Sequence, residues 1–274
     1  MADEVRFAAD LYRGTAAAYE LYRLPYPAVM TADLVRSAQV SGRGRLLDLA
    51  CGTGQLAFPL RGWFAGVWAV DQEPDMVEAV RVKAATAGAW NLRPVVSSAE
   101  TLGAQPEYFE LAVIGNAFHR LDRDLAAGRI LGWLQPGGHL ALCWSSMPWT
   151  GEQSWQRALA AALDRWKAAL GAAQRIPAGW GKARSRRPDS EVLTDAGFEL
   201  AGSHELAIDH RWTLPELAGL IRSTSFLPAA LLADQAAAFD ADLAASLGPH
   251  SDDDVFTETV SFAYELARKP GTAA

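Results

Sequence analysis

The residues able to do chemistry gather around one short run, Leu47-Asp48-Leu49-Ala50-Cys51-Gly52-Thr53-Gly54-Gln55. An apolar stretch enters two glycines. Glycine lets a backbone approach a ligand where a Cβ would collide, and amides exposed at the start of a following helix attract an electron-rich group. Two cofactor readings fit this turn. Gly52-Thr53-Gly54-Gln55-Leu56-Ala57 satisfies the G-x-G-x-x-A form of a dinucleotide fingerprint, and Asp71 stands where a ribose-binding acid belongs in either reading. Asp48 tips the balance. A carboxylate just ahead of a pyrophosphate would repel it. The same carboxylate suits a cofactor with an ammonium, a sulfonium and no phosphate, which describes S-adenosylmethionine. The other reading of Asp48 is a cap or a hydrogen bond inside the loop. Glu73, close behind Asp71, adds to the acidity of the rim.

The elements that must hold these residues follow from periodicity. Runs 45–50, 66–71, 93–97, 109–115 and 139–144 are apolar without alternation, the pattern of buried strands. Helices are expected from about Gln55, from Pro74 to Gly88, and over 121–134. Strict alternation of this kind implies a doubly wound α/β fold. Residues 1–40 read as helical, broken at Leu24-Pro25-Tyr26-Pro27, with Val29, Leu34 and Val35 on one face. After Trp144, the spacing of Trp155, Leu159, Leu163, Trp166 and Leu170 predicts an amphipathic helix. A loop over 171–188, a helix over 191–197 and a strand over 198–206 come next. Thr213-Leu214-Pro215-Glu216 reads as a capped helix start. Leu232, Ala236, Phe239, Leu243 and Leu247 mark another helix, and 255–266 a last strand paired with 198–206. The sum is a mostly parallel seven-stranded sheet with a helical cap. Its parts are an N-terminal helical lid (1–40), a cofactor core (41–144), a cap insertion (145–190) and a C-terminal part of the core (191–274).

In order, these runs resemble the motifs of class I S-adenosylmethionine-dependent methyltransferases of the small-molecule, antibiotic- or quinone-tailoring type. The run from Leu47 to Gln55 is similar to their D-x-x-C/G-G-x-G turn. Ala69-Val70-Asp71 with Met76 resembles their second motif, and Ala99-Glu100-Thr101-Leu102 their A-E-x-L segment. Gly115-Asn116-Ala117-Phe118-His119-Arg120-Leu121-Asp122 resembles the segment after strand four, and Leu134-Gln135-Pro136-Gly137-Gly138 the L-x-P-G-G turn. Tyr19-Glu20-Leu21-Tyr22-Arg23-Leu24-Pro25-Tyr26-Pro27 is similar to a Y-x-x-x-R-P-x-Y-P entry segment. The resemblance implies a Rossmann-like methyltransferase fold. It implies cofactor contacts from Tyr19, Arg23, Asp48, Ala50, Gly52, Gly54, Gln55, Asp71, Gln72, Met76, Ser98, Ala99, Glu100 and Asn116. Asp71 would hold the ribose hydroxyls, Met76 the adenine face, and Arg23 the methionine carboxylate. Ser98 departs from the pattern, because many relatives carry an Asp there; adenine recognition then falls to backbone groups near Ala99.

In such a reaction the cofactor brings the reactivity, and the protein brings alignment and, where needed, a base. His119 is the candidate catalytic residue, as a base or a substrate-orienting group; the other reading is a structural histidine bonded to a neighbouring loop. Asp122 is expected to cap the following helix. Trp144, Trp149, Trp155, Trp166 and Trp180 cluster after strand five and could line a cap, with Trp155 and Trp166 expected in its core. The run Lys182, Arg184, Arg186 and Arg187 is expected as a solvated loop. No metal-ligand spacing is visible among the five histidines, and Cys51 and Cys143 are too few and too far apart for a disulfide framework.

A net charge of -7 over 274 residues argues against a nucleic-acid binder. No run reaches the length of a membrane span, and a cytoplasmic location is expected. The expected activity is methyl transfer to N, O or C of a small-molecule acceptor, by a monomer or homodimer. Two other readings stay open: a non-methylating member of the fold, a cyclase or binding protein, and an NAD(P)-dependent oxidoreductase.

Overall fold

The computed structural model describes residues 7, 8, 10–175, 177 and 185–271. Seven strands form one sheet: β1 (Arg45–Leu49), β2 (Gly66–Asp71), β3 (Leu92–Val96), β4 (Phe109–Gly115), β5 (Leu134–Ser145), β6 (Glu199–Thr213) and β7 (Val255–Arg268). Their order is β3-β2-β1-β4-β5-β7-β6. The first five are mutually parallel, β7 runs antiparallel to β5, and β6 antiparallel to β7. The strand order reverses between β1 and β4, so a crevice opens beyond their carboxyl ends.

Helices cover both faces. On one side α2 (Ala28–Ser37) and α3 (Ala57–Leu60) pack Leu34, Val35 and Leu60 against Leu46, Leu111 and Tyr264. On the other, α5 (Arg123–Trp133) and α7 (Asp189–Asp195) pack Ile130, Val192 and Leu193 against Leu47, Ala112 and Leu140. Among the described residues, the remaining helices are α1 (Ala16–Tyr22), α4 (Pro74–Thr86), α6 (Ser154–Ala169), α8 (Leu214–Arg222), α9 (Ala229–Leu232) and α10 (Ala236–Leu247). β7 pairs with β5 only from Phe262 to Arg268, but with β6 along its whole length. The free half of that hairpin overhangs the sheet. It carries a third core, in which Trp155, Leu159 and Leu163 of α6 meet Trp212, Leu217, Phe239 and Phe256.

Several local expectations are met and several move. The Thr213–Glu216 capping box starts α8, and Asp122 Oδ1 accepts from the Leu125 amide at the start of α5. Val29 does not share the buried face of α2. It is 58% exposed, while Met30, Leu34 and Val35 are buried. Five residues separate Val29 from Leu34, which turns a helix about 140° past a full circle. The helix after the glycine turn starts at Ala57 and not at Gln55. Its start is set by Asp48 Oδ2, which accepts from the Ala57 amide at 2.7 Å. Leu134 to Gly138 already belongs to β5, with Gly137 at φ 79. His139 lies within β5, opposite Leu111 and Arg268, and is buried.

Candidate functional site

β1 ends in a turn that ordinary residues would not enter. Ala50, Gly52 and Gly54 have φ of 55, 53 and 84. A Cβ on Gly54 would lie 2.8 Å from the Phe58 ring, and one on Gly52 would lie 3.2 Å from Tyr19 Cε1. Ala50 has no such exemption, and a left-handed alanine is strained. At the end of β4, across the switch point, Asn116 has φ 52. Its amide is fixed from both ends: Oδ1 accepts from the Ser145 amide, and Nδ2 donates to Tyr26 Oη and Ser145 Oγ, all at 3.3 Å.

Two carboxyl groups, one buried and one half-buried, organise the turn from below. Asp48, 1% exposed, is tied to the Ala57 amide. Its burial raises its pKa to about 8, with the nearby Asp71 charge adding to the shift. At the end of β2, Asp71 Oδ2 accepts from the Gly52 amide at 2.8 Å and Oδ1 from the Glu73 amide at 3.0 Å. Burial raises the Asp71 pKa against these two bonds. Glu73 is buried beside it, and its Oε1 has no donor among the described residues.

The N-terminal segment closes over this floor. Gly14 N–H donates to Asp75 Oδ2 at 2.8 Å, Lys83 pairs with Glu20 at 2.7 Å, and the Arg120 guanidinium lies over the rings of Phe7 and Tyr12. Tyr19 rests against the glycine turn, and burial raises its phenol to about 12. Arg23 lies 4.8 Å over the Tyr19 ring. Its Nε donates to Ser223 Oγ at 2.8 Å, Nη2 donates to the Ser223 carbonyl at 3.3 Å, and Nη1 points to Met147 Sδ at 3.8 Å.

Between lid, turn and hairpin lies a cleft of about 540 Å³, counted together with the open solvent at its mouth. Of the residues singled out from sequence, Tyr19, Arg23, Asp48, Ala50, Gln55 and Asn116 line it. Gly52 and Gly54 form the turn behind that lining. Asp71, Gln72 and Met76 sit past β2, and Ser98, Ala99 and Glu100 past β3, along the same sheet edge but outside the cleft wall. Met76 and Ala99 are buried, Glu100 is exposed, and Ser98 Oγ pairs with Thr101 Oγ at 3.0 Å. His119 lies in a half-buried turn after β4 and does not line the cleft. Sequence reading missed Tyr26, Ser145, Met147, Trp212 and Leu220 as cleft residues. Tyr26 stands inside the Y-P entry segment and could have been found there. Trp212 gave no signal, because the length of β6 brings it over the site from far along the chain.

The cap tryptophans divide. Trp155 is buried, Trp166 donates to Asp242, Trp149 packs edge-on to Phe226, and Trp144 packs with the sheet core. Trp180, Lys182 and Arg184 lie outside the described residues. Arg186 is exposed, but Arg187 is not a solvated charge: it joins Asp124 and Asp195, tying its segment to α5 and α7.

Residues 46–138 match the family described as methyltransferase domain. An uncharacterized methyltransferase of Mycobacterium tuberculosis is 28% identical over 135 residues, 49% of this chain and 52% of that protein. The chain thus spans about half the length of the curated relatives it matches. A solved structure from Bacillus halodurans, named as a methyltransferase, superposes with TM-score 0.57 at 18% identity, covering 88% of this chain and 98% of that one. A phosphoethanolamine N-methyltransferase of Haemonchus contortus, solved with phosphomonomethylethanolamine and S-adenosylhomocysteine, gives 0.54 at 16% identity, covering 93% and 57%. These likenesses establish the fold. With the strand order and the turn after β1, the match over 46–138 makes this core similar to methyltransferase domains.

Proposed function

We propose that this chain transfers a methyl group from S-adenosylmethionine to a small-molecule acceptor held in the cleft. The observation that carries the reading is the floor beneath Tyr19: a glycine turn whose Gly52 amide is held by Asp71, with Asp48 and Glu73 buried around it. These residues fit the cofactor. Glu73 Oε1 lacks a donor, and ribose hydroxyls would supply one beside Asp71. A bound ammonium and sulfonium would favour the charged forms of these carboxyl groups against their burial, and a pyrophosphate would oppose them.

When bound, S-adenosylmethionine supplies an activated methyl group. The protein's part is placement and exclusion of water. Asp71 and Glu73 receive the ribose, Met76 and Ala99 offer apolar surface to the adenine, and Asp48, Ala50 and Gln55 flank the methionine end. Asn116, fixed by Ser145 and Tyr26, edges the acceptor side. Residues 1–40 act as a lid, 41–144 as the cofactor core, and 145–190 as part of the substrate-selecting cap.

Calorimetry tests this directly. S-adenosylhomocysteine should bind, and NAD should not bind comparably. Tight NAD binding with no heat from the sulfur compound would reverse the assignment.

A further inference from the structure

We infer that the amino-terminal edge of β1, β2 and β3 docks on an anionic phospholipid surface. This edge lies at the opposite end of the strands from the cleft and shares no residue with it.

The first ground is a pair of indoles that the fold leaves outside. Trp90 is 89% exposed, in the turn between α4 and β3, and Trp63 is 49% exposed, in the turn before β2. Neither belongs to any of the three cores. Hydrogen bonds join the two turns and the start of β1 into one surface. Asn91 Nδ2 donates to the carbonyls of Arg61 and Phe64 at 2.9 and 3.0 Å. The Val67 amide donates to the Asn91 carbonyl at 2.8 Å, and the Ala65 amide to the Gly44 carbonyl at 2.9 Å. An indole has an apolar body and one polar N–H, which suits the boundary between lipid headgroups and acyl chains.

The second ground is charge. Arg43, Arg45 and Arg93 are exposed, Arg61 is half-buried, and none of the four pairs with a carboxylate among the described residues. No Asp or Glu occurs in 39–45, 61–65 or 86–93, the stretches that make this surface. Glu110 stands at its border, half-buried beside Gly44, with Oε1 accepting from the Ser41 amide at 2.6 Å. Two of the arginines are held in place. Arg45 lies 4.4 Å over the Tyr108 ring, and Arg93 4.4 Å over the Trp68 ring. A guanidinium laid on a ring face keeps its N–H edge for phosphate oxygens.

The far half of the same edge is built differently. There Arg268 pairs with Glu199 at 3.6 Å and Lys269 with Glu107 at 3.7 Å. In a chain of net charge -7, the β1–β3 half is thus a cationic patch left without counter-charge around two indoles. Face to face, two copies of this patch would bring like charges together. An anionic bilayer meets both features at once, drawing the arginines to its phosphates and taking the indoles into its headgroup layer. Held this way, the cleft at the carboxyl ends of the strands faces away from the bilayer and stays open to solution.

The test is co-sedimentation of the full chain with vesicles of equal parts phosphatidylcholine and phosphatidylserine, against vesicles of phosphatidylcholine alone. The protein should pellet with the first and stay in solution with the second, and the bound fraction should fall as salt is raised. Arg43→Gln and Arg93→Gln should each weaken binding about 5-fold, the effect of one cation near a charged membrane. Trp63→Ser together with Trp90→Ser should weaken it roughly 10-fold or more. Arg268→Gln, the same change on the ion-paired half of the edge, should leave it in place. Circular dichroism and urea midpoints should match wild type in each variant. If the double tryptophan variant misfolds, Trp90→Ser alone, at the most exposed position, carries the same expectation. Equal pelleting with both lipids, pelleting with neither, or binding untouched by every substitution in the patch overturns the proposal. Tight binding of single-stranded RNA without vesicle binding would overturn it in favour of a nucleic-acid surface. A dimer in sedimentation velocity that Trp90→Ser dissolves, with vesicles ignored, would overturn it in favour of a contact between copies.

Discussion

Asp48 does two jobs that compete. It caps the first amide of α3, which favours the carboxylate, and it is buried, which favours the acid. Burial wins. Its value of about 8 in the folded chain lies above the ordinary 3.8, so its contribution to stability is complete below about pH 4 and is lost as pH rises through about 8. Asp48→Asn keeps an oxygen for the Ala57 amide and removes the titration. Urea midpoints of that variant should change less than wild type between about pH 5 and 8; parallel profiles would mean that Asp48 ionises freely in the fold. Asp71 has a different charge to answer. It holds the Gly52 and Glu73 amides now and is assigned the ribose in the complex. Asp71→Ala should weaken S-adenosylhomocysteine binding by about 1.5–3 kcal/mol in a variant checked for folding by circular dichroism, and an unchanged affinity would remove it from the site. His119 is outside the cleft wall. His119→Ala should therefore cost far less turnover than the roughly 10²–10⁴-fold expected of a general base, and a loss of that size would restore it to the chemistry.

At the scale of elements, the glycine turn is the most exacting piece. Gly54 combines φ 84 with the Phe58 ring 2.8 Å from where a Cβ would sit. Gly54→Ala should cost about 1–3 kcal/mol in denaturant unfolding and weaken S-adenosylhomocysteine binding as well; a neutral substitution would show that the turn relaxes freely. Gly219 on α8 is the equivalent contact for the lid, since a Cβ there would overlap the Tyr22 ring of α1. The turn was legible in the sequence because its requirement is local: only glycine tolerates those φ values beside Phe58 and Tyr19. The strands were legible because both faces of β1 and β4 are buried, leaving uninterrupted apolar runs. The Thr213–Glu216 box was legible for the same local reason. What stayed hidden depends on distance along the chain. Nothing in the local sequence around Trp212 or Ser223 says that β6 overhangs the sheet or that Arg23 will find Ser223. The exclusion of His119 depends on the direction taken by a three-residue turn after β4, which spacing does not encode.

Across the whole molecule, the cap is one body made from two stretches of sequence. Glu258 on β7 is buried, accepting from Gln156 of α6 at 2.7 Å and from the Trp212 indole of β6 at 2.6 Å. Trp155 of the same helix donates to the Thr257 carbonyl at 3.3 Å. Three elements are thus joined around one carboxylate, and the third core closes over them. Trp212 is also in the cleft wall, so this joint fixes the surface an acceptor meets. Exchanging only 145–190 for the corresponding segment of a related enzyme would bring a foreign α6 against the native Trp212, Phe239 and Phe256. The apolar faces would no longer interlock, and Glu258 would lose Gln156 unless the donor segment supplied an equivalent. Removing one partner from a buried charged group costs about 1–3 kcal/mol or more, and mismatched packing adds to it. That exchange should lower the unfolding midpoint. Exchanging 145–190 together with 212–258 carries the joint across intact, and should preserve stability and S-adenosylhomocysteine affinity while changing acceptor choice. The cofactor floor, built from β1, β2 and α3, touches neither exchanged stretch among the contacts that hold Asp48 and Asp71. If the single exchange proved as stable as the double one, the two stretches would be independent units, and the acceptor surface would have to be sought in 145–190 alone.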